Sequence, residues 1–490
     1  MSHPSATEEH LQIGWAATDI TPERPVLIAG QFHARVSEGV ADPVTATALA
    51  IQRGHELAVL VSCDLVAISD ELRDAVRGLV KGRLPDLDPT RVVLHATHTH
   101  TGPEIREPTL GAGHVSMGTG VDLEVWPPEE YIPWAAARVG EVVTQAWERR
   151  TAGGVAFGLG HAVIGHNRRW VDTGGNATMY GNTSSPAFSH IEGYEDHRVS
   201  TLATYGTDGS LTGLVVNVPC PAQVSEGDYR LSADYWHETR MELRHRLGDE
   251  LHILPQCSVA GDQSPHPILG KSAEQRMLSL KGRSERQEIA VRIADAVEAT
   301  LPHVHDSIER QPTMRHCVET LDLPMTSLDD AAVATAREEA DKLQHVHEEE
   351  LDKLRRDPGL RNQPRWYVPV TRAFRRMQWF RGVIERHARS MDNNTRPAEV
   401  HILRLGDMAM ATNPFEYYLD FGMCIRARSP AAQTFLVQLA GGGTYVPSPR
   451  SLAGGGYGSI PASNPVGPEG GRQLAERTVE VLEELFPPAE

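Results

Sequence analysis

The stretch LAVLVSCDLVAI (57–68), DELRDAVRGLVKGRL (70–84) and RVVLHATHTH (91–100) decides the fold class. Its outer pieces are apolar runs, which predict buried strands. Its middle piece has apolar residues at helical spacing. Strand, helix, strand in that order predicts parallel pairing inside an α/β core. Outward from it, LTGLVVNVPCPAQ (211–223) and ELHILPQCSVAGDQSPH (250–266) predict strands running into loops. Residues 131–149 and 233–248 predict helices, the second closed by Gly248. Residues 101–130, rich in Gly, Pro and Glu, predict a loop. EVHILRLGDMAMATNPFE (399–416) predicts a hairpin turning at Gly406 and Asp407, then a helix from Glu416. Between these, 326–394 turns strongly helical and charged. It is expected to be a helical insertion, either covering one side of the core or acting as a lid. Residues 10–325 and 395–490 then form one module: a mixed-sheet core flanked by helices.

Composition narrows the function. The chain has 490 residues, 40% hydrophobic and 23% charged, which are globular values and exclude disorder. Lys plus Arg is 47 and Asp plus Glu is 65, a net charge of −18. That balance argues against nucleic acid or an anionic membrane as the main partner and leaves a small molecule in a pocket. Five cysteines with no CxxC pair suit a reducing compartment and exclude a zinc ribbon. The N-terminus shows no basic segment followed by an apolar run, and no stretch of about 18 apolar residues occurs. A cytoplasmic protein without a transmembrane segment is expected, with homo-oligomer formation left open.

Histidine is the unusual residue, at 23 copies. In ATHTHTGPE (96–104), continued strand geometry would put His98 and His100 on one face and His95 on the other. Two imidazoles at a strand end can ligate one metal, or one can ligate while the other moves protons. AGDQSPH (260–266) offers Asp262, Ser264 and His266 as a nucleophile-and-base group or as a turn. Glu416 in NPFE, Tyr445 in GGGTYVP and Tyr457 in GGGYGS are further candidates, as are Arg168 in GHNRRW and His33 and Arg35 in QFHAR. His237, Met241 and His245 share one helix face, but the segment is not HExxH, which excludes a zincin.

The ordered set ATDITP (17–22), QFHAR, VSCDL (61–65), ATHTHTGP, NRR, SAD (232–234), AGDQSP, NPFE and TYVP resembles the neutral/alkaline non-lysosomal ceramidases over most of 10–325 and 396–485. The resemblance implies a zinc-dependent amidase. It makes His98, Glu416 and Tyr445 metal ligands and His100 a neighbouring histidine. Arg168 and Ser264 would face the scissile amide, with Tyr457 in the pocket wall. The family's second zinc histidine, in a strand-end His-Pro motif, is replaced here by NVPCPAQ. Cys220, Gln223 and His237 are the candidates to stand in for it.

The expected reaction is hydrolysis of an N-acyl bond. Zinc, or another divalent metal, would lower the pKa of a bound water toward about 7. His100 would transfer protons, Arg168 and a tyrosine would stabilise the oxyanion, and Ser264 would bind substrate or attack. Two other readings stay open: the same scaffold acting on a polar ester, lactone or carbohydrate-derived substrate, or a degenerate site kept for binding.

Overall fold

The computed structural model describes residues 10–105, 118–389 and 394–488. The expected loop at 101–130 and the end of the helical segment fall partly outside them. Eight strands form the larger sheet: β1 (Gln12–Asp19), β2 (Thr45–Arg53), β3 (Glu56–Cys63), β4 (Val92–Ala96), β5 (Thr151–His161), β6 (Arg198–Gly206), β7 (Leu211–Val218) and β8 (His252–Cys257). Their order is β8-β7-β6-β5-β1-β2-β3-β4. Helix α1 (Asp70–Arg83) crosses from β3 to β4, which pair in parallel as the opening stretch predicts. β7 and β8 are also parallel, but the other pairs are antiparallel, so the sheet is mixed.

The halves β1–β4 and β5–β8 join only at Gln12↔Ala152 and Ile13↔Thr151. So short a seam lets the sheet fold over. The Ser62 hydroxyl of β3 donates to the Pro255 carbonyl of β8 at 2.7 Å, although the two strands stand far apart in sheet order. A second sheet, β9 (Met314–Pro324), β10 (Thr395–Leu405), β11 (Met408–Thr412) and β12 (Gln433–Val437), has that order too. The hairpin turns where expected, with Gly406 at φ +62°.

Strand alternation explains how the layers stick. Leu49, Ile51 and Leu60 enter an apolar cluster shared with Leu403, Met410 and Phe435 of the second sheet. Their neighbours Ala48, Ala50, Val59 and Val61 face α1 and α2 (Pro128–Glu148) instead. Large side chains fill the space between sheets, and alanines let helices approach. Leu49 is fully buried, so Leu49→Ala would cost about 2–5 kcal/mol. Helices α3 (Tyr235–Leu247) and α4 (Glu285–Val304) cover β5–β7, and α3 ends at Gly248 as its sequence implies.

Between the paired strands β9 and β10 the chain makes two long helices, α5 (Asp330–Arg356) and α6 (Val368–Arg389). Asp329 caps α5 by accepting from the Ala332 amide. The helix pair is docked by specific bonds: Ala34 N–H donates to Thr371 Oγ1, and Arg386 donates to the Pro461 carbonyl. The helix expected from Glu416 begins later. Glu416–Tyr417 instead pairs with Tyr445–Val446 in a short parallel ladder, and α7 runs Leu419–Arg428. That ladder captures the Glu416 amide on the Thr444 carbonyl. With α8 (Pro468–Leu485), α7 covers the outer face of the second sheet.

Candidate active site at the gathered strand ends

Five strand ends are stitched together by backbone hydrogen bonds. Ala96 N–H donates to Leu439 O, His100 N–H to Ala222 O, Gln438 N–H to Cys257 O, and Asn413 N–H to Val437 O. These bonds carry residues from β4, β7, β8, β11 and β12 into one place. The strand itself stops at Ala96, so simple alternation does not place the two histidines. His98 adopts φ +64°, a left-handed turn. The rings of His98 and His100 still meet edge to face, with centroids 4.9 Å apart and Nε2 atoms 3.5 Å apart. His95 remains on the strand and is fully buried. Burial lowers its pKa to about 3. Gly30, at φ +93°, makes room for His100, because a Cβ there would sit 2.7 Å from the imidazole.

His98 Nδ1 lies 2.6 Å from the Val66 carbonyl. A carbonyl only accepts, so Nδ1 carries the proton and Nε2 presents its lone pair or a second proton. Nε2 points at Glu416 Oε2, 3.2 Å away. Burial pushes the Glu416 carboxyl up, but His98, Arg168 and the Tyr445 phenol outweigh it and hold it below its ordinary value. Arg168 is 5% exposed. It donates to Gly261 O at 2.8 Å, Tyr445 Oη at 3.1 Å and Gln223 Oε1 at 3.4 Å. Burial and the neighbouring Glu416 raise the Tyr445 phenol well above its usual range. The Tyr457 ring lies 5.3 Å from that of Tyr445.

The AGDQSPH group assembles differently from a triad. Ser264 Oγ is 2.8 Å from Tyr180 Oη and accepts the His266 backbone amide. The His266 ring faces the Gln223 carbonyl at 3.0 Å and Glu285 at 3.6 Å. Asp262 accepts from the Leu419 amide at the start of α7 and from Asn167, and burial pushes its pKa up to about 6. Among the described residues no imidazole ring bonds to the serine hydroxyl, so the nucleophile-and-base grouping is not formed.

Other sequence candidates sit in supporting roles. Arg35 is fully buried and donates to the carbonyls of Ala29, His100, Glu226 and Asp228, which braces the His100 loop. Cys220 is packed in the apolar core with its thiol toward the Ile164 carbonyl. His237 lies in the first turn of α3. Among the described residues, no three His, Cys, Asp or Glu side chains are grouped to hold one metal ion, so neither joins His98 and Glu416 in such a set. Gln223, by contrast, reaches Arg168. His33 lines a cavity of about 460 Å³ with Tyr457.

Two members of the cluster have no obvious sequence signal. Glu226 accepts from Gln223 Nε2 at 2.9 Å and lies 3.7 Å from His100 Nδ1. Tyr180 takes φ +57° in a glycine-flanked loop. Both line a second cavity of about 400 Å³ together with His266. Two cavities therefore touch one cluster of buried polar groups.

The donors offered to a metal are the His98 Nε2 lone pair, the Glu416 carboxylate and the Tyr445 phenol. A nitrogen 3.2 Å from a carboxylate oxygen needs a proton or a cation between them, and a metal bound here would take its donors from this imidazole, carboxylate and phenol. The Val66 carbonyl on Nδ1 is the kind of partner that fixes the tautomer of a metal-binding histidine.

No protein-family model and no curated protein matches the chain. Solved structures do. Neutral ceramidase from Pseudomonas aeruginosa superposes with a TM-score of 0.68 and 15% identity, covering 98% of this chain and 75% of that one. A ceramidase complexed with C2 gives 0.66 and 14%, covering 97% and 75%. The chain thus carries a neutral-ceramidase-like α/β fold.

Proposed function

We propose that the protein is a hydrolase of amide (N-acyl) bonds that uses zinc or a related divalent metal. The observation that carries the reading is the convergence of His98, Glu416, Tyr445 and Arg168 from four distant segments, beside two cavities. His98 Nε2, the Glu416 carboxylate and the Tyr445 phenol would hold the metal. When bound, such an ion polarises a carbonyl and supplies hydroxide from water near neutral pH.

The chain's own residues do the rest. Arg168 has its guanidinium fixed by the Gly261 carbonyl, so one edge is already aimed at a developing oxyanion beside Tyr445. His100 is the proton carrier, taking a proton from the attacking water and returning it to the departing nitrogen. Glu226, facing His100 Nδ1, keeps the other ring nitrogen, Nε2, turned toward His98 and the reaction. Ser264 and Tyr180 form a hydroxyl pair suited to holding the amide. Gln223 and Tyr457 wall the site.

Exhaustive chelation followed by zinc addition tests this against a panel of N-acyl amides. Activity is expected to vanish and return. Hydrolysis that survives complete removal of metal, verified by elemental analysis, would contradict the proposal.

A further inference from the structure

The 460 Å³ cavity beside Tyr457 has an unusual wall. Phe32, Trp379 and Tyr457 form a compact aromatic triad, with ring centroids 4.9 Å (Phe32–Trp379), 5.8 Å (Phe32–Tyr457) and 5.9 Å (Trp379–Tyr457) apart. The rest of the wall includes His33 and two arginines of α6, Arg372 and Arg376. Among the described residues no Asp or Glu lines it, although the whole chain carries a net charge of −18. Among the described residues, neither arginine is paired with a carboxylate. At i and i+4 they share one helix face, with Cβ atoms about 5–6 Å apart. Arg375 between them is turned inward, donating to the Gly118 and Gln31 carbonyls.

We propose that this cavity is the specificity pocket, and that the substrate is an amide attached to a flat or ring-shaped body bearing an anionic group such as a carboxylate, sulfate or phosphate. Two adjacent guanidiniums match a multi-oxygen anion with parallel N–H···O bonds. The aromatic triad offers a planar ring apolar surface beside the arginines, and Tyr457 joins it to Tyr445 of the reactive cluster. A volume of this size takes one small molecule. Two alkyl chains would instead cover the guanidiniums without giving them a counter-charge, which is unfavourable. His33 adds no charge at neutral pH: burial, then Arg372, Arg35 and Arg375, lower its pKa to about 4. It serves as a neutral hydrogen-bonding group. Helix α6 therefore supplies the cationic half of the pocket.

This inference rests on the hydrolase reading for the reaction, but not for the recognition, so binding tests it separately. Isothermal titration of the full chain and of an R372A/R376A variant would use benzoate, phenyl phosphate and uncharged benzamide. Both arginines are exposed, so the variant is expected to fold. The wild type is expected to bind the two anions at least about tenfold more tightly than benzamide, and the variant to lose that preference. Equal binding of all three probes, or an unchanged preference in the variant, overturns the proposal. If the anion preference is found but zinc-loaded enzyme cleaves no N-acyl amide, the hydrolase reading fails and the pocket assignment stands. If amides are cleaved with no anion preference, the pocket assignment fails and the hydrolase reading stands.

Discussion

Of the places where two histidines meet a glutamate, two bear comparison. At the strand ends, His98 and His100 meet beside Glu416. In the second sheet, His316 Nε2 lies 3.2 Å from His401 Nδ1, and His401 Nε2 lies 2.9 Å from Glu399. His98, His316 and His401 are buried, and the other three members are half-buried. Their difference lies in how the chains of hydrogen bonds end. The second group is closed at both ends: His316 Nδ1 meets the Leu57 carbonyl, and Arg77 binds Glu399 through two bonds. At the strand ends, Arg168 passes by the carboxylate to reach Tyr445 and Gln223, and two cavities lie beside the group, one lined by Glu226 and Tyr180, the other by Tyr457. Residue types alone do not separate structure from chemistry; the partners at the ends of the network do.

The sharpest way to break that comparison is to remove one histidine from each group. If the proposed metal is held by His98, His98→Ala is expected to lower kcat/KM by about 10³ or more, since such an ion contributes several kcal/mol to the transition state. It should also cut zinc content while leaving the unfolding midpoint nearly intact. His316→Ala should do the reverse, with a lower midpoint and near-normal turnover per folded molecule. Equal effects on both readouts from both variants would erase the distinction.

Adjacent arginines supply the next contrast. Arg169 is 1% exposed and held by Glu192 at 2.6 and 3.0 Å, with the Ser451, Gly455 and Tyr457 carbonyls also bound. Arg169→Met leaves Glu192 buried and unpaired, at a cost of about 3–5 kcal/mol of stability. Arg168→Met is expected to fold and to lose about 10²–10³ in kcat, the usual effect of deleting an oxyanion donor. Thermal unfolding beside steady-state kinetics separates the two.

These pairs also show how far the sequence could be read. The strand-helix-strand opening, the Gly406 hairpin and the Gly248 helix end were legible because each is local. His98, Arg168, Glu416 and Tyr445 were legible as a set only through the order of short motifs. Asp262, Arg35 and Cys220 have the right chemistry, but their partners are a helix amide, backbone carbonyls and a core, and those are set by tertiary packing. Glu226 and Tyr180 lie in polar, glycine-flanked loops that look like solvated turns until the loops fold against His100 and Ser264. The helical character of 326–394 was readable, but not that two exposed arginines of α6 would line one cavity with Tyr457.

A smaller effect tests the closed network by pH. Burial raises the Glu399 carboxyl, but the His401 and Arg77 interactions dominate and hold it well below the usual carboxylate range. A depressed folded pKa adds stability that is complete above the unfolded value and drains away as pH falls through the folded one. The wild type is therefore expected to lose stability more steeply below about pH 4.3 than Glu399→Gln, which cannot titrate there. Parallel unfolding curves for the two proteins would mean that Glu399 is not the group that closes the network.

Ser264 gives the smallest expected change and the most discriminating one for the reaction. Its oxygen contacts the Tyr180 phenol and a backbone amide, and the nearest basic ring, His266, is turned to a carbonyl and Glu285. A serine without a base to take its proton is a poor nucleophile. It can still donate one hydrogen bond to a bound amide, a contribution of about 0.5–1.5 kcal/mol. Ser264→Ala is therefore expected to cost about tenfold or less in kcat/KM, mainly through KM, and Tyr180→Phe about the same. A covalent route would instead lose several orders of magnitude in kcat and show a burst of acyl-enzyme before steady state. A burst in the wild type that disappears in Ser264→Ala would make Ser264 the attacking group.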